Sequence, residues 1–171
     1  MKTIFYLMVF LFLINASKTG YGQNDLKLPY PIIFVHGLVG DDQSWNNVSD
    51  FLISQYGLTF GKRMDFCLNA DGNNSISVLS SDIKDFTNTN EGNTIIKGDF
   101  YTINFDVDND GNLYDNGILS DQSAIAKQGK AVEVAVNHVL HITEKDKVIL
   151  VGHSMGGLAC REFIRTYFNV V

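Results

Sequence analysis

The sequence predicts an α/β fold, in which a parallel β-sheet carries helices on both faces. Short apolar runs rich in β-branched and aromatic residues alternate along the chain with longer segments of helical periodicity. Two of these runs are continuously apolar, which is typical of strands buried on both faces of a sheet. The order strand, helix, strand, helix, strand, helix is that of a parallel sheet. A glycine-rich turn follows the last of these runs directly.

The N-terminal segment predicts a secretory signal peptide. Lys2 precedes an almost unbroken apolar run over residues 4–14, and small and polar residues then lead to Gly22. This layout is that of a signal peptide cleaved after Gly22. The run is shorter than the roughly 20 apolar residues of a membrane-spanning helix. We therefore expect residues 1–22 to be removed and the protein to be secreted or periplasmic; an uncleaved membrane anchor is the alternative.

Residues 23–171 are expected to form one acidic domain. Loss of the signal peptide removes Lys2 and Lys18 but no acid, so 13 basic residues become 11 against 19 acidic ones, and the net charge falls from −6 to −8. Such a balance excludes a nucleic-acid-binding protein, and no polybasic patch is present for anionic lipid. The two cysteines, Cys67 and Cys160, are expected to be small buried apolar residues; a disulfide is the alternative in an oxidising compartment.

The first half of the domain predicts a strand, a helix and an irregular insertion. Residues 31–35 are a continuous apolar run that ends at His36 and Gly37. Ser44 can cap a helix over residues 45–56. One side of that helix is apolar, with Trp45, Val48, Phe51, Leu52 and Tyr56. Residues 57–98 are rich in Asn, Asp, Gly, Ser and Thr, and we predict an irregular insertion there with one weak helix or hairpin.

The second half predicts two strands and two helices. Residues 100–105 alternate as a strand does, and residues 147–151 form the next buried strand. A helix capped by Ser120 or Asp121 is expected to run to about residue 141. Its apolar face is spaced four, three, four, three, with Ile125, Gly129, Val132, Val136 and Val139. Gly129 costs helix stability, so its place on that face predicts close packing against the sheet. The last helix is expected over residues 155–168.

The strongest functional signal is the turn at residues 152–157, Gly-His-Ser-Met-Gly-Gly. It matches G-x-S-x-G, follows a strand directly and opens a helix, which is the context of a nucleophile elbow. The elbow brings backbone close to backbone on both sides of Ser154, and glycine at 152 and 156 removes the Cβ atoms that would clash. His153 and Gly157 complete the motif. The alternative is an ordinary glycine-rich turn with an idle serine.

A second motif, His36-Gly37-Leu38-Val39-Gly40, lies at the end of the first predicted strand. Stabilising an oxyanion takes two backbone amides, one after the nucleophile and one from a loop across from it. We predict that the amides of Leu38 and Met155 form this oxyanion hole. The start of the helix at Met155 adds its positive end to the developing charge. Without the downstream elbow, a strand-ending turn would be the better interpretation of His36 and Gly37.

These two segments, PIIFVHGLVG at 31–40 and VILVGHSMGG at 148–157, resemble the lipase and esterase branch of the α/β-hydrolase superfamily. They are similar to its inositol-deacylase-like and triacylglycerol-lipase-like members. The resemblance implies an α/β-hydrolase-type sheet, Ser154 as nucleophile, and hydrolysis of a carboxylic ester through an acyl-enzyme. It further implies an ester or lipid-like small-molecule substrate and no required cofactor. It extends to the helix before the second segment and is weak over residues 57–98.

The rest of a catalytic triad is missing from the sequence. The family's order is Ser, acid, His, yet the seventeen residues after Ser154 contain neither Asp nor His. His153 suits packing, and His138 and His141 are expected at the solvent edge of their helix. We therefore expect a domain that is incomplete at its C-terminus, from a truncated gene or with a second polypeptide completing the site, and inactive on its own. Thioester or amide hydrolysis, and a non-catalytic remnant or calcium-dependent binding module, are the alternatives.

An acidic loop begins at Asp106 and matches the start of D-x-D-x-D-G. Oxygen ligands at alternate positions with a glycine at the turn suit Ca²⁺. The twelfth position is Gly117 rather than Glu, and the preceding element is a strand. A solvated loop is therefore the preferred interpretation. The alternative is a structural calcium ion held by four carboxylates: Asp106, Asp108, Asp110 and Asp115.

Overall fold

A β-sheet flanked by helices forms the described part of the chain, which confirms the predicted α/β class. The computed structural model describes residues 27–41, 43–69, 83–89, 94–113 and 123–167. The predicted signal peptide lies outside them. The elements in chain order are β1 (Ile32–Val35), α1 (Asn46–Tyr56), β2 (Phe60–Cys67), β3 (Lys84–Asp85), β4 (Phe100–Asn104), α2 (Ile125–Thr143), β5 (Ile149–Gly152) and α3 (Met155–Tyr167). None of the described helices combines the length and apolarity that crossing a membrane requires.

The strands form one sheet in the order β3-β2-β4-β1-β5. Four of them are parallel, with β1 in register with β4 through Ile33 and Tyr101 and with β5 through Ile33 and Leu150. The short β3 is antiparallel to β2, so the sheet is mixed rather than purely parallel. The carboxyl ends of β4, β1 and β5 therefore lie side by side. In open α/β sheets, ligands bind at this edge.

Helices cover both faces of the sheet, because β1 and β4 are apolar on both sides. Ile33, Val35 and Ile103 point to the face where α2 and α3 pack. Phe34 and Phe100 point to the opposite face and contact α1. On that second face, the rings of Phe34 and Trp45 lie 4.9 Å apart. The two apolar layers fix β1 at the centre of the domain, and with it the turn that follows.

Residues 60–67 were predicted to be irregular, and that prediction is wrong, because β2 is an eight-residue strand. The polar residues of β2 do not give the apolar pattern of a buried strand. Arg63 donates to Asp65 at 2.6 Å, and Asp65 is fully buried. A register shift between residues 60 and 63 and a positive φ of 92° at Lys62 further disguise the pattern. Residues 70–82 and 90–93 of the predicted insertion lie outside the described residues.

Helix α1 begins one residue later than predicted, and its cap differs. Trp45 is the N-cap and makes no side-chain capping bond. The hydroxyl of Ser44 instead donates to Asp41 Oδ1 at 3.2 Å and accepts from the Asp41 amide. Of the predicted apolar side, Val48 and Leu52 pack on the sheet. Phe51 and Tyr56 are exposed and contact each other edge to face.

Helix α2 begins at Ile125, with Ala124 as its N-cap. The predicted caps Ser120 and Asp121 lie before this start and outside the described residues. Gly129 does mark a close approach, but to α3 rather than to the sheet. A Cβ at Gly129 would lie 2.8 Å from Glu162 Cγ and 3.2 Å from the Phe163 amide nitrogen. The glycine thus lets the two helices on this face come together.

Strand β5 is less buried than predicted, because it lies at one edge of the sheet. Ile149 is exposed, and Leu150 and Val151 are half-buried. Both cysteines are buried, as the preferred interpretation had them, and no disulfide joins them. Burial raises the pKa of the Cys160 thiol to about 12, so that it behaves as a small apolar side chain.

Candidate active site

Ser154 lies at the turn between β5 and α3 with a backbone geometry that serine rarely adopts. The φ of Ser154 is 52°, in the left-handed region that residues with a side chain rarely adopt. Ser154 is exposed to solvent. Such a conformation costs roughly 1–3 kcal/mol and persists only where the surroundings enforce it. Here the His153 amide donates to Val35 O at 3.0 Å, and the Gly157 amide donates to Ser154 O at 3.0 Å. The turn therefore presents the serine at the carboxyl edge of the sheet.

The motif glycines allow this turn to form. A Cβ at Gly152 would lie 2.5 Å from the amide nitrogen of Gly157. A Cβ at Gly156 would lie 2.3 Å from His36 O and 2.4 Å from Val35 O. These are backbone atoms, which cannot move aside as a flexible side chain can. Glycine at these positions is therefore required for the turn to approach both α3 and β1.

The loop after β1 lies directly beside Ser154. A Cβ at Gly37 would lie 3.0 Å from Ser154 Cβ and 3.0 Å from His153 O. The loop closes through a bond from the Gly40 amide to Gly37 O at 3.0 Å. At its tip, Leu38 and Val39 are exposed, and Val39 has a positive φ of 58°. The two sequence motifs, more than a hundred residues apart in the chain, thus meet in the fold.

His36 is buried and holds this loop through both ring nitrogens. Its Nδ1 lies 2.8 Å from Gly37 O, and its Nε2 accepts a bond from the Phe105 amide at 2.9 Å. These partners assign the proton to Nδ1. Burial is the largest influence on the ring and lowers the pKa of His36 below its ordinary 6.5. His36 is therefore a neutral structural link between β1 and β4.

The two amides predicted for the oxyanion hole are both available. Met155 opens α3, and the first amides of a helix have no partner within it. Among the described residues, the Leu38 amide makes no backbone hydrogen bond either. The positive end of α3 lies at the same point. That the amides of Leu38 and Met155 together form an oxyanion hole stays a prediction.

The remaining histidines do not form a Ser–His pair in the described structure. His153 is exposed, rather than packed as predicted, with Nδ1 3.1 Å from the Cβ position of Gly37. His138 is half-buried on α2 and bonds Asp85 at 2.6 Å, so its predicted place at the solvent edge is wrong. His141 is exposed on α2, as predicted. No hydrogen bond joins any described imidazole to Ser154.

The acidic loop after β4, for which a calcium site was the alternative interpretation, is closed by its own backbone amides. Asp108 Oδ1 accepts from the amides of Asp110 and Asn112, each at 2.8 Å, and Oδ2 accepts from the Asn112 side chain. These hydrogen bonds lower the pKa of Asp108, the Asn112 side chain most strongly. Asp106 is buried, and Asp115 lies outside the described residues. Across the described ranges, no three acidic, His or Cys side chains are grouped as a metal would need.

Three residues near the site were not predicted from the sequence. The Phe105 amide is the partner of His36, and Gly40 makes room for that ring, since a Cβ there would lie 2.6 Å from Nδ1. Gln128 is fully buried and donates to Ser123 O at 2.9 Å, with its Nε2 also 3.6 Å from Met155 Sδ. Gly40 could have been found from the glycine spacing after His36. The roles of Phe105 and Gln128 could not, because backbone hydrogen bonds and long-range contacts leave no pattern in the sequence.

Most of the chain is similar to known proteins. The solved structure of the lin2722 gene product from Listeria innocua is similar, with a TM-score of 0.48 and 21% identity. The alignment covers 82% of this chain and 46% of that one, so the chain spans less than half of that protein's length. No curated protein sequence matches significantly. The family model described as "PGAP1-like alpha/beta domain" matches residues 29–167, a range that includes both motifs. The chain therefore belongs to the PGAP1-like α/β domain family, which is of the α/β-hydrolase type.

Proposed function

We propose that this protein is a serine ester hydrolase in which Ser154 is the nucleophile. The observation that carries the proposal is the left-handed backbone of Ser154, with φ of 52°, at the start of α3. A strained turn of this kind is retained where it presents a reactive group. The neighbouring loop at Gly37 approaches the same serine, as an oxyanion loop would. Membership of a family of the α/β-hydrolase type is consistent with this activity.

The proposed reaction has two steps. The Ser154 oxygen bonds to the ester carbonyl carbon, the carbon–oxygen bond to the alcohol breaks, and the serine proton leaves with the alcohol. Water then attacks the acyl-enzyme, which releases the carboxylic acid and restores the serine hydroxyl. In both steps the carbonyl oxygen carries negative charge, and the amides of Leu38 and Met155 donate to it. No cofactor takes part in these bond changes.

The proton of Ser154 needs a base, and no hydrogen bond joins a described histidine to this serine. His36 uses both nitrogens in structural bonds, and His138 is paired with Asp85. A serine without a base is a poor nucleophile. We therefore propose that Ser154 is activated by a base that the described residues do not contain. The activity proposed here is that of the completed site.

The surroundings of Ser154 favour an apolar, lipid-like ester. Leu38 and Val39 on the loop are 54% and 69% exposed, and Leu158, one turn into α3, is 51% exposed. Large side chains exposed this far next to a polar nucleophile offer contact area to an acyl chain. The negative net charge argues against an anionic substrate such as nucleic acid. Secretion is proposed from the signal-peptide pattern of residues 1–22 alone.

Hydrolysis of p-nitrophenyl esters of increasing acyl length by the complete gene product tests the proposal. Ser154→Ala should lower kcat by up to about 10⁶-fold, the scale of effect of removing a nucleophilic serine. Ser54→Ala, on the exposed surface of α1, is the matched control and should leave the rate unchanged. Folded protein without esterase activity, or a Ser154→Ala variant as active as the parent, would contradict the proposal.

A further inference from the structure

We propose that Asp85 and His138 form a proton-linked clasp that holds β3 against α2 in mildly acidic solution and releases it as the pH rises. This inference does not depend on Ser154 or on the proposed hydrolase activity. It concerns the far edge of the sheet, because β3 and β5 are its two outermost strands. The clasp joins two residues that are 53 positions apart in the chain.

The contact is short and shielded on both sides. His138 Nε2 lies 2.6 Å from Asp85 Oδ2, and the two side chains are only 32% and 28% exposed. The other carboxylate oxygen of Asp85 accepts from the Thr87 amide at 2.8 Å. The Thr87 amide therefore holds the Asp85 carboxylate in place independently of the His138 imidazole. A pair oriented in this way loses less side-chain entropy than two free surface chains would.

Strand β3 depends on such side-chain contacts because its own pairing is small. Among the described residues, β3 comprises two residues and pairs with β2 through Phe66–Asp85 and Cys67–Lys84. The Phe86 amide adds one bond to Asp65 O at 2.9 Å. Edge segments with few backbone bonds are among the first to open in native proteins. A side-chain bond to α2 therefore has a large share in keeping β3 closed.

The segment around β3 also supports the acidic loop after β4. The Lys84 ammonium donates to Asn109 O at 3.0 Å. The Phe86 ring lies 2.8 Å from the Cβ position of Gly111, which has a φ of 90°. When β3 leaves α2, these contacts to the loop at residues 106–113 are strained or lost. The clasp thus controls the order of two segments that are separate in sequence.

Protonation of His138 strengthens the contact. The hydrogen bond to Asp85 outweighs burial and raises the pKa of His138 above its ordinary 6.5. Burial alone would raise the pKa of Asp85, but hydrogen bonds from His138 and Thr87 outweigh it and lower that pKa below 3.8. Other described titratable groups close in sequence are Lys84, which is directed to Asn109, and His141, one turn along α2. Neither is an acid that could replace Asp85.

The direction of the pH effect follows from these shifts. His138 contributes stabilisation that is fully present below pH 6.5 and is lost as the pH rises through its raised pKa. Asp85 contributes stabilisation that is present above 3.8 and is lost as the pH falls through its lowered pKa. The clasp is therefore tightest between these limits.

Two NMR measurements on the whole chain test the clasp. The first titrates the His138 ring, whose pKa should exceed 6.5 in the parent and fall in Asp85→Asn. The second follows hydrogen exchange of the amides in residues 83–87 from pH 5.5 to 8.5, corrected for intrinsic exchange. Their protection should decrease in the parent as the pH rises through the pKa measured for His138. In His138→Gln that decrease should vanish, whereas His141→Gln, an exposed change on the same helix, should keep it.

The outcomes separate the clasp from a purely structural contact. A His138 pKa at or below 6.5, or one that Asp85→Asn leaves unchanged, would overturn the proposal. So would pH-independent protection of residues 83–87 in the parent, or a loss of the pH effect in His141→Gln. If His138→Gln does not fold, the Asp85→Asn titration and the exchange profile of that variant give the same decision.

Discussion

The Nε2 atom of His36 accepts a hydrogen bond from the amide of Phe105 at 2.9 Å, which joins the carboxyl end of β1 to that of β4. The same ring contacts Gly37 O through Nδ1, so one imidazole fixes both the strand and the loop beside Ser154. The ring is 1% exposed and packs 5.2 Å from the Phe105 ring. The position of the loop after β1 therefore depends on a neutral, buried histidine.

Replacing His36 by leucine should destabilise the protein. The substitution roughly keeps the volume of the side chain but leaves the buried Phe105 amide without its acceptor, which costs about 1–3 kcal/mol. Urea unfolding of the parent and the variant measures the difference in the free energy of unfolding. His141→Leu, an exposed change on α2, should shift it by less than about 0.5 kcal/mol. An unchanged unfolding midpoint for His36→Leu would show that the bond to Phe105 contributes nothing.

Acid should weaken the domain through the same residue. Burial, the largest influence, lowers the pKa of His36 in the folded state, so below pH 6.5 the unfolded chain binds a proton that the folded chain does not. The free energy of unfolding should therefore fall as the pH drops from 6.5 towards the lowered pKa. Urea midpoints measured between pH 4.5 and 7 test this, with His36→Leu as reference. The urea midpoint should fall less steeply with decreasing pH in His36→Leu than in the parent. Equal pH dependences in the two proteins would assign the acid sensitivity to other groups.

Two adjacent glycines should respond oppositely to the same substitution. Gly156→Ala would push a methyl group to 2.3 Å from His36 O, so we expect a loss of at least about 1–3 kcal/mol, as in other overpacked sites. Gly157→Ala meets only Gly152 O at 3.7 Å and lies within α3, where alanine is favoured over glycine by about 0.5–1 kcal/mol. Thermal unfolding compares the two. A Gly156→Ala variant as stable as Gly157→Ala would contradict the close approach of the elbow to β1.

The ion pair within β2 should be worth more than an exposed one. Asp65 is fully buried and receives Arg63 Nε at 2.6 Å and Asn104 Nδ2 at 3.0 Å. Arg63→Met removes the positive partner of a buried charge, and we expect a loss of about 3 kcal/mol. Lys97→Met breaks a pair whose side chains are 66% and 82% exposed and should cost less than about 1 kcal/mol. Similar losses in the two variants would mean that burial of Asp65 does not set the effect.

The sequence predicts the elements whose pattern is local. The apolar run before His36, the periodicity of α2 and the glycines at 152 and 156 each obey one simple rule of burial or backbone space. For that reason, Ser154 could be named as the candidate nucleophile from the sequence alone. Strand β2 could not be predicted in this way, because Arg63 and Asp65 look like surface residues in the sequence. Inside the fold, the two side chains neutralise each other. Their partnership depends on the sheet, which the sequence does not display.

The same limit explains the smaller errors. Gly129 was correctly taken as a close contact, but the partner, α3, follows it by more than twenty residues, and only the fold decides between helix and sheet. His138 was expected at the solvent edge of its helix, and its bond to Asp85 was missed because that acid is 53 residues away. Leu38 and Met155 were predicted from the motif alone, and whether their amides bind an oxyanion stays a prediction.

Covalent labelling of the complete gene product with a fluorophosphonate tests the central claim most directly. The reagent reacts with a serine only when the hydroxyl is activated, and peptide mapping identifies the modified residue. We predict one label, on Ser154, that is lost in Ser154→Ala and retained in Ser54→Ala. Folded protein that takes up no label, or that is labelled at another serine, would contradict the assignment of Ser154 as the nucleophile.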